Sequence, residues 1–342
     1  MELRILGTTG LRVSALCLGT MTFGDSRGFM KGHTASLETA RRMLDMALDA
    51  GLNFIDTANI YSEGQAEEML GQWLGARRNG LILATKARFP MSSEPGKKPG
   101  PNDSGASRRH LMRACEASLR RLKTDCIDLY QVHMQDTNVP IEETLRTLQD
   151  LQRAGKVRAI GCSNYTGFRL TQSLWAAEKW LLPRYQSVQL KWNVVERGAE
   201  CEVIPVCRHY NLGVMVWAPL ASGYLSDRFL QSSSAPEDSR LAGWGPVYEE
   251  LNTPRNQSVL KVLHRVAKRH EVSISRVALA WLLQRQEVST IILGARTVEQ
   301  LEDNLNCLTL ELTPGDLTEI GMVSAPQLEY PYNFILRVQG GL

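Results

Sequence analysis

Short runs rich in Val, Ile and Leu alternate along the chain with longer segments in which apolar residues recur at helical spacing. The runs at 15–19, 53–57, 81–86, 126–133, 157–163, 187–193, 213–219 and 290–294 predict eight strands. Segments at 36–50, 107–121, 141–154, 200–210 and 257–270 predict helices, and there is room for a helix after each strand. Several runs are apolar throughout and do not alternate, which suits strands buried on both faces, as in a parallel sheet covered by helices. Eight such units in 342 residues favour a closed (β/α)8 TIM barrel forming one domain over 1–342. An open doubly wound sheet fits the periodicity too, but fits the strand count less well. Ahead of the first unit, 3–6 and 11–14 flank Gly7-Thr8-Thr9-Gly10, a pattern that reads as a β-hairpin able to plug one end of a barrel.

Two stretches exceed what connection alone requires: 88–106, rich in Pro, Gly, Ser and Lys, and 220–255, which contains Trp244 and Tyr248. Both follow strands, which in a barrel places them as long loops on the C-terminal face, where barrel sites are assembled. The tail beyond Ser324 carries Tyr330, Tyr332 and Phe334 and can fold over the same face. Solvated linker is the plainer reading of these stretches, and the better one for Lys97-Lys98.

Composition narrows the classes of partner. With 43% hydrophobic and 22% charged residues the chain is ordinary globular material, and its formal charge of +3 is spread along it instead of forming the stripe that nucleic acid requires. The seven cysteines are scattered and include no CxxC pair, which fits reduced thiols in a cytoplasmic compartment. The first ten residues carry charges and turn residues, and no segment is apolar for long enough to span a bilayer. Neither secretion nor membrane insertion is expected, so the sequons at Asn102, Asn164 and Asn256 carry no glycan.

Four ionisable residues fall at or just beyond the ends of consecutive predicted strands: Asp56, Tyr61, Lys86 and His133. A tyrosine of pKa ~10 is a poor acid–base group at neutral pH unless a nearby cation favours its phenolate. Lys86 can supply that cation, Asp56 can keep a buried lysine charged, and His133 can hydrogen-bond and orient a substrate oxygen. Each residue alone has a plain explanation: a turn tyrosine, a strand-end salt bridge, a histidine closing a buried strand. The combination is what points to a site.

The motifs around these residues extend the pattern. Gly51-Leu52-Asn53-Phe54-Ile55-Asp56-Thr57-Ala58 precedes Tyr61 and Gly64, with a helix continuing over 65–71. Ile127-Asp128-Leu129-Tyr130-Gln131-Val132 delivers His133, and Gly155-Lys156-Val157-Arg158-Ala159-Ile160-Gly161-Cys162-Ser163-Asn164 follows, with a last motif at 291–304. In this order the motifs resemble those of the aldo-keto reductase family, from Leu3 to about Leu312. The resemblance implies an oxidoreductase that reduces an aldehyde or ketone to an alcohol by hydride transfer from NADPH. It assigns Tyr61 as general acid, Lys86 and Asp56 as its tuning pair, and His133 as the orienting donor. The cofactor motifs are also similar to those of potassium-channel β subunits, members with binding or regulatory roles that can lack the histidine. His133 favours turnover.

No GxGxxG follows the first strand and no GxxxxGK[ST] is present, so a dinucleotide must be held by the barrel mouth. The resemblance assigns Ser163, Asn164 and Gln189 to the nicotinamide carboxamide and Trp217 to the face of its ring, where the plain alternative is a core tryptophan. It assigns Ala218, Pro219, Leu220, Ser222 and Gly223 to a loop offering backbone donors to the pyrophosphate, with Arg228 and Arg240 as cations on the phosphates. Gly294, Arg296, Gln300, Asp303 and Asn304 correspond to the adenosine site. Many shorter members carry an arginine in place of Gln300, where it clamps the 2′-phosphate. Arg296 lies close enough in sequence to make that contact, so NADPH is expected ahead of NADH.

Other classes remain alongside. One is a nucleotide-sensing subunit without turnover, and another a barrel lyase in which Lys86 forms a Schiff base. A metal hydrolase is disfavoured, because His33, His110, His209, His264 and His270 show no ligand-like spacing with His133. Met21, Phe23, Phe29, Phe89, Met134, Trp192, Trp244 and the aromatic tail are expected to line a largely apolar pocket for a small carbonyl compound. Arg88 is either a contact for an acidic substrate or a solvated surface arginine. Loops set specificity, so these residues outline a pocket without naming its substrate, and none of them sets an oligomeric state.

Overall fold

A computed structural model describes residues 1–27, 30–91, 97–230 and 234–340. Eight parallel strands close into a ring: β3 (Leu16–Gly19), β4 (Phe54–Asp56), β5 (Ile82–Ala87), β6 (Ile127–Val132), β7 (Val157–Ser163), β8 (Ser187–Lys191), β9 (Gly213–Trp217) and β10 (Val288–Leu293). Each pairs with its neighbour in sequence, and β10 closes the barrel by pairing with both β9 and β3. This is the predicted (β/α)8 architecture. Strand bounds differ from the apolar runs by a few residues. β6 stops at Val132, leaving His133 just beyond it, and β10 starts two residues before its run, with a register irregularity against β9 between Val288 and Thr290.

Several connecting helices begin where a side chain accepts from one of their first N–H groups. Ser36 caps α1 (Leu37–Asp49), and a nine-residue helix, α2 (Gln65–Trp73), follows β4. Ser107 caps α3 (Arg108–Leu122), α4 spans Ile141–Arg153, and Thr166 caps α5 (Gly167–Lys179). The helix predicted from residue 200 starts later, as α6 (Val203–Tyr210), after a 3-10 turn at Gly198–Glu200. The stretch 220–255, read from the sequence as a loop, contains α7 (Arg240–Gly243) and α8 (Gly245–Leu251). Four and seven residues are too few for helical periodicity to register. Beyond them come α9 (Pro254–His270), α10 (Ile274–Leu283), α11 (Val298–Leu305), α12 (Pro314–Val323) and α13 (Tyr332–Gln339).

Apolar residues form two cores. The larger lies between sheet and helices and includes Leu44, Leu111, Leu148, Leu170, Leu263 and Leu301. The smaller fills the barrel itself, where Cys17, Phe54, Ala84, Leu129, Met215 and Ile292 meet Leu6 and Val13 from the N-terminal hairpin. That hairpin pairs β1 (Leu3–Ile5) with β2 (Arg12–Ser14) and stops the N-terminal end of the barrel. Complete burial of a side chain such as Leu6 contributes roughly 1.5–3 kcal/mol. The close approach needs Gly7, whose φ is +57° and where a Cβ would lie 2.1 Å from the carbonyl oxygen of Gln186. One end of the barrel is therefore dry and closed, and the polar chemistry is left to the other.

The tail runs along the rim of that other end, where Gln327, Leu328, Glu329 and Tyr332 line a groove with Thr166, Gly198 and Glu202. Arg255 donates to the carbonyl of Ser324 (2.6 Å), Arg197 to its hydroxyl (2.9 Å), and the Tyr332 hydroxyl to the carboxylate of Glu202. Tyr330 and Phe334 are exposed.

Candidate active site

Inward-facing positions of the barrel strands change from apolar to polar toward their C-terminal ends. Two residues beyond Phe54, Ala84 and Leu129 come Asp56, Lys86 and Gln131, and all three polar side chains are buried. Lys86 Nζ lies 2.5 Å from Asp56 Oδ2 and donates to the Thr57 carbonyl at 2.7 Å. The second carboxylate oxygen, Oδ1, accepts from Gln131 Nε2 (3.1 Å) and Gln189 Nε2 (2.9 Å). Burial works to lower the Lys86 pKa, but the Asp56 carboxylate, supported by Tyr61, outweighs it and holds the ammonium above the ordinary lysine value. The layer is thus a charged pair whose anion is fully hydrogen-bonded.

Tyr61 opens a 3-10 turn (Tyr61–Gly64) directly beyond β4. Ser62 and Glu63 take left-handed φ values of 46° and 55°, and the Ser62 hydroxyl anchors the turn on the Phe23 carbonyl at 2.6 Å. Tyr61 thereby reaches over the charged pair, with Lys86 Nζ 5.0 Å from its ring centroid. Burial raises the Tyr61 pKa, Lys86 opposes the rise and Asp56 adds to it, leaving the phenol above its usual value. Lys86 acts in favour of the phenolate, but burial outweighs it and Asp56 adds to the rise, so in this state Tyr61 keeps its proton at neutral pH.

His133 follows β6, its backbone N–H donating to the Ala87 carbonyl (3.0 Å) and its own carbonyl accepting from Asn164 Nδ2 (2.9 Å). Its ring meets Tyr61 edge-on at 6.0 Å and Phe89 at 4.7 Å. Burial, then the charges of Lys86 and Arg88, push its pKa well below the usual histidine value, so the imidazole is neutral at pH 7. Nδ1 is buried with no partner among the described residues. A neutral ring of this kind offers one N–H donor and one acceptor.

Around this centre lie the residues expected at a dinucleotide. Ser163 ends β7 with its hydroxyl accepting from Asn164 Nδ2 (3.0 Å), and it stands in register with Gln189. Gln189 has already committed its amide nitrogen to Asp56, leaving Oε1 for other contacts. Trp217 ends β9, packs against the barrel interior and has a buried Nε1 with no partner among the described residues. The chain then turns sharply: Ala218, Ala221 and Ser222 all have positive φ, and Asn193 holds the Ala218 carbonyl at 3.0 Å. Pro219 and Leu220 bridge to a 3-10 turn at Ala221–Gly223. Non-glycine residues in this conformation cost ~1–3 kcal/mol each and persist where the surroundings enforce them.

Three arginines gather beyond that turn. Arg228 pairs with the Asp238 carboxylate, and Arg296 donates to the Asp238 carbonyl at 2.8 Å, its own N–H braced by Gln300 Oε1 at 2.9 Å. Arg240 has a buried Nε with no partner among the described residues, and burial together with Arg296 pushes its pKa down to about 10. The cluster stays cationic at neutral pH and is short of anions, which fits a phosphate ligand. Gly294 has open space where a side chain would stand, and Asn304 is buried on α11. Asp303 is instead bound to α10, through Ser273 (2.7 Å) and Arg276 (2.6 Å).

Residues 15–324 match the sequence profile of the aldo/keto reductase family. The chain belongs to that family. It is 39% identical to an uncharacterised oxidoreductase, YrpG, of Bacillus subtilis over 91% of this chain and 92% of the relative. It is 32% identical to an L-glyceraldehyde 3-phosphate reductase of Escherichia coli O157:H7 (94% and 91% covered) and 31% identical to a probable voltage-gated potassium channel subunit beta of Arabidopsis thaliana (98% and 100%).

In this aldo/keto reductase the structure brings Asp56, Tyr61, Lys86 and His133 to one mouth, and Arg228, Arg240 and Arg296 to one cluster. Two aromatics expected in the pocket are core residues instead. Phe23 is fully buried edge-on to Trp73 (6.2 Å), and Trp192 packs on Trp281 (6.3 Å) while its Nε1 donates to Glu200. Phe29 lies outside the described residues. Met21, Phe89, Met134 and Trp244 are partly exposed. Arg88 is half-buried with its guanidinium 5.7 Å from the Phe89 ring. Gln131 was not singled out by its type, although it stands two residues before His133 in an otherwise apolar run. Asp238 and His33 join the arginine cluster only through loop folding, for which the sequence holds no periodic signal.

Proposed function

We propose that this aldo/keto reductase reduces an aldehyde or ketone with NADPH, and that Tyr61 is the general acid. The observation that carries this reading is the charge state of the mouth: a protonated Tyr61 and a neutral His133 over a buried, balanced Asp56–Lys86 pair. When bound, the reduced nicotinamide supplies hydride to the carbonyl carbon. Ser163, Asn164 and Gln189 Oε1 offer complementary groups for its carboxamide, and Trp217 a flat face. The turn from Ala218 to Gly223 and the arginines Arg228, Arg240 and Arg296 suit its phosphates. Tyr61 donates its proton to the carbonyl oxygen as negative charge develops there, and a neutral His133 N–H steadies the same oxygen. Lys86 then lies beside the deprotonated phenol, and its charge offsets the one left on Tyr61. The seven free cysteines support a reducing compartment, the cytoplasm, as the place of action.

A cofactor-sensing subunit is the second reading, favoured by the relative named as a channel subunit. A Schiff-base role for Lys86 is opposed by its raised pKa and by its contacts with Asp56 and Thr57, since the reaction needs a free amine. The test is a panel of aldehydes, ketones and quinones supplied with NADPH or NADH, followed by loss of reduced-nicotinamide absorbance. Turnover with some carbonyl, faster with NADPH, is expected. Tight binding of NADPH without turnover across the panel supports the sensing role instead.

A further inference from the structure

The loop between β3 and α1 brings an unassigned histidine to the arginine cluster. His33 meets Trp244 edge-on at 6.2 Å, and a Cβ on Gly243 would fall 2.8 Å from His33 Nε2, so the arm carrying α7 and α8 closes directly on this ring. The same loop is stapled to the segment before α11: Ala35 N–H donates to the Thr22 carbonyl (2.8 Å), and the Thr22 hydroxyl to the Ala295 carbonyl (2.8 Å), next to Arg296. His33 Nδ1 and Arg240 Nε are both buried with no partner among the described residues. Burial, then the charges of Arg240 from α7 and Arg296 from the loop after β10, hold the His33 pKa below the usual value. Among the described residues no carboxylate acts on the ring to offset them, and the Asp238 side chain is paired with Arg228. The result is three guanidiniums and an imidazole around a single carboxylate.

We propose that His33 is a binding residue for the 2′-phosphate of the cofactor and takes up a proton as that dianion arrives. The inference rests on the NADPH reading above. A phosphate monoester brings a charge of about −1.5 to −2, which opposes the guanidinium charges that add to burial in keeping the imidazole neutral in the free protein. An opposing charge at this range moves a pKa by about 1–3 units, enough to carry a histidine from mostly neutral to mostly charged at pH 7. NADPH affinity then falls roughly three- to tenfold between about pH 6.5 and 8, whereas NADH, which has no such phosphate, shows little of this dependence.

The experiment is calorimetric titration of the full chain with NADPH and with NADH at pH 7, in two buffers of different ionisation enthalpy, which counts protons taken up on binding. It is repeated on His33→Gln, whose fold is checked by circular dichroism. Greater uptake with NADPH than with NADH in the native chain, lost in His33→Gln, supports the proposal. The ligand phosphate's own titration, pKa ~6, is common to both proteins and cancels in the difference. Equal uptake with the two nucleotides overturns the role of His33, as does uptake that persists in the variant. Failure of the native chain to bind either nucleotide overturns the reductase reading itself.

Discussion

The Lys86 ammonium meets the Asp56 carboxylate at 2.5 Å, where neither side chain is more than 2% exposed. Removing one partner strands the other charge in the barrel, at a cost of about 3–5 kcal/mol. Asp56→Asn and Lys86→Met are each expected to lower stability in urea unfolding followed by circular dichroism. The double variant should recover part of the loss, because it strands nothing. Strictly additive losses would contradict the coupling.

Tyr61→Phe keeps the ring against His133 and removes the hydroxyl that carries the transferable proton. Carbonyl reduction should fall by roughly 10²–10⁴-fold, while the change in protein fluorescence on adding NADPH persists. Undiminished turnover in this variant would remove Tyr61 from the mechanism.

Protonation of His133 is disfavoured in the folded protein, so its pKa lies below that of the unfolded chain. Above pH ~6.5 both states carry a neutral ring and the group costs nothing. As pH falls below that value the unfolded state binds the extra proton, and stability drops by up to about 1.4 kcal/mol per pH unit until the folded-state pKa is reached. Buried His110, its pKa also lowered, acts in the same direction. Urea midpoints at several pH values should therefore fall on the acid side of neutrality, less steeply in His133→Gln. An equal slope in that variant would show that the ring titrates normally.

The backbone N–H of Arg296 donates to Gln300 Oε1, and its guanidinium donates to the Asp238 carbonyl in the arginine cluster. If it grips the 2′-phosphate, Arg296→Ala should lose a charge-assisted contact of about 1.5–3 kcal/mol, which raises the Kd for NADPH roughly 10- to 100-fold. Fluorescence titration should show NADH affinity changed by far less. Equal losses for both nucleotides would place Arg296 on a phosphate they share.

The barrel was legible because runs such as β3 and β9 are apolar throughout, a pattern that suits strands covered on both faces. The reaction centre was legible for a related reason. Asp56, Lys86 and His133 are charged or polar residues where such runs stop, and a barrel brings strand ends together. What stayed hidden was set by contacts distant in sequence. Gln131 and Gln189 reveal their task only once the barrel closes around Asp56, and Asp238 reaches Arg296 across 58 positions. Trp192 and Trp244 look alike in the sequence. The packing of Trp281 makes one a core residue, and the arm that carries α7 and α8 sets the other beside His33.

At Gly7, the left-handed backbone and the 2.1 Å approach to the Gln186 carbonyl leave no room for a methyl group. Gly7→Ala should lower the thermal midpoint by the equivalent of more than ~1 kcal/mol, seen in melting curves, with turnover per folded molecule unchanged. An unaltered midpoint would mean that the hairpin yields locally.

Because the hairpin seals the face opposite the mouth while Leu3 and Ile5 stay exposed on it, the molecule has a natural handle. Coupling to an electrode or bead through that face would present every mouth outward to the bulk solution, so a surface-bound layer could be read or supplied with reactants without steric loss.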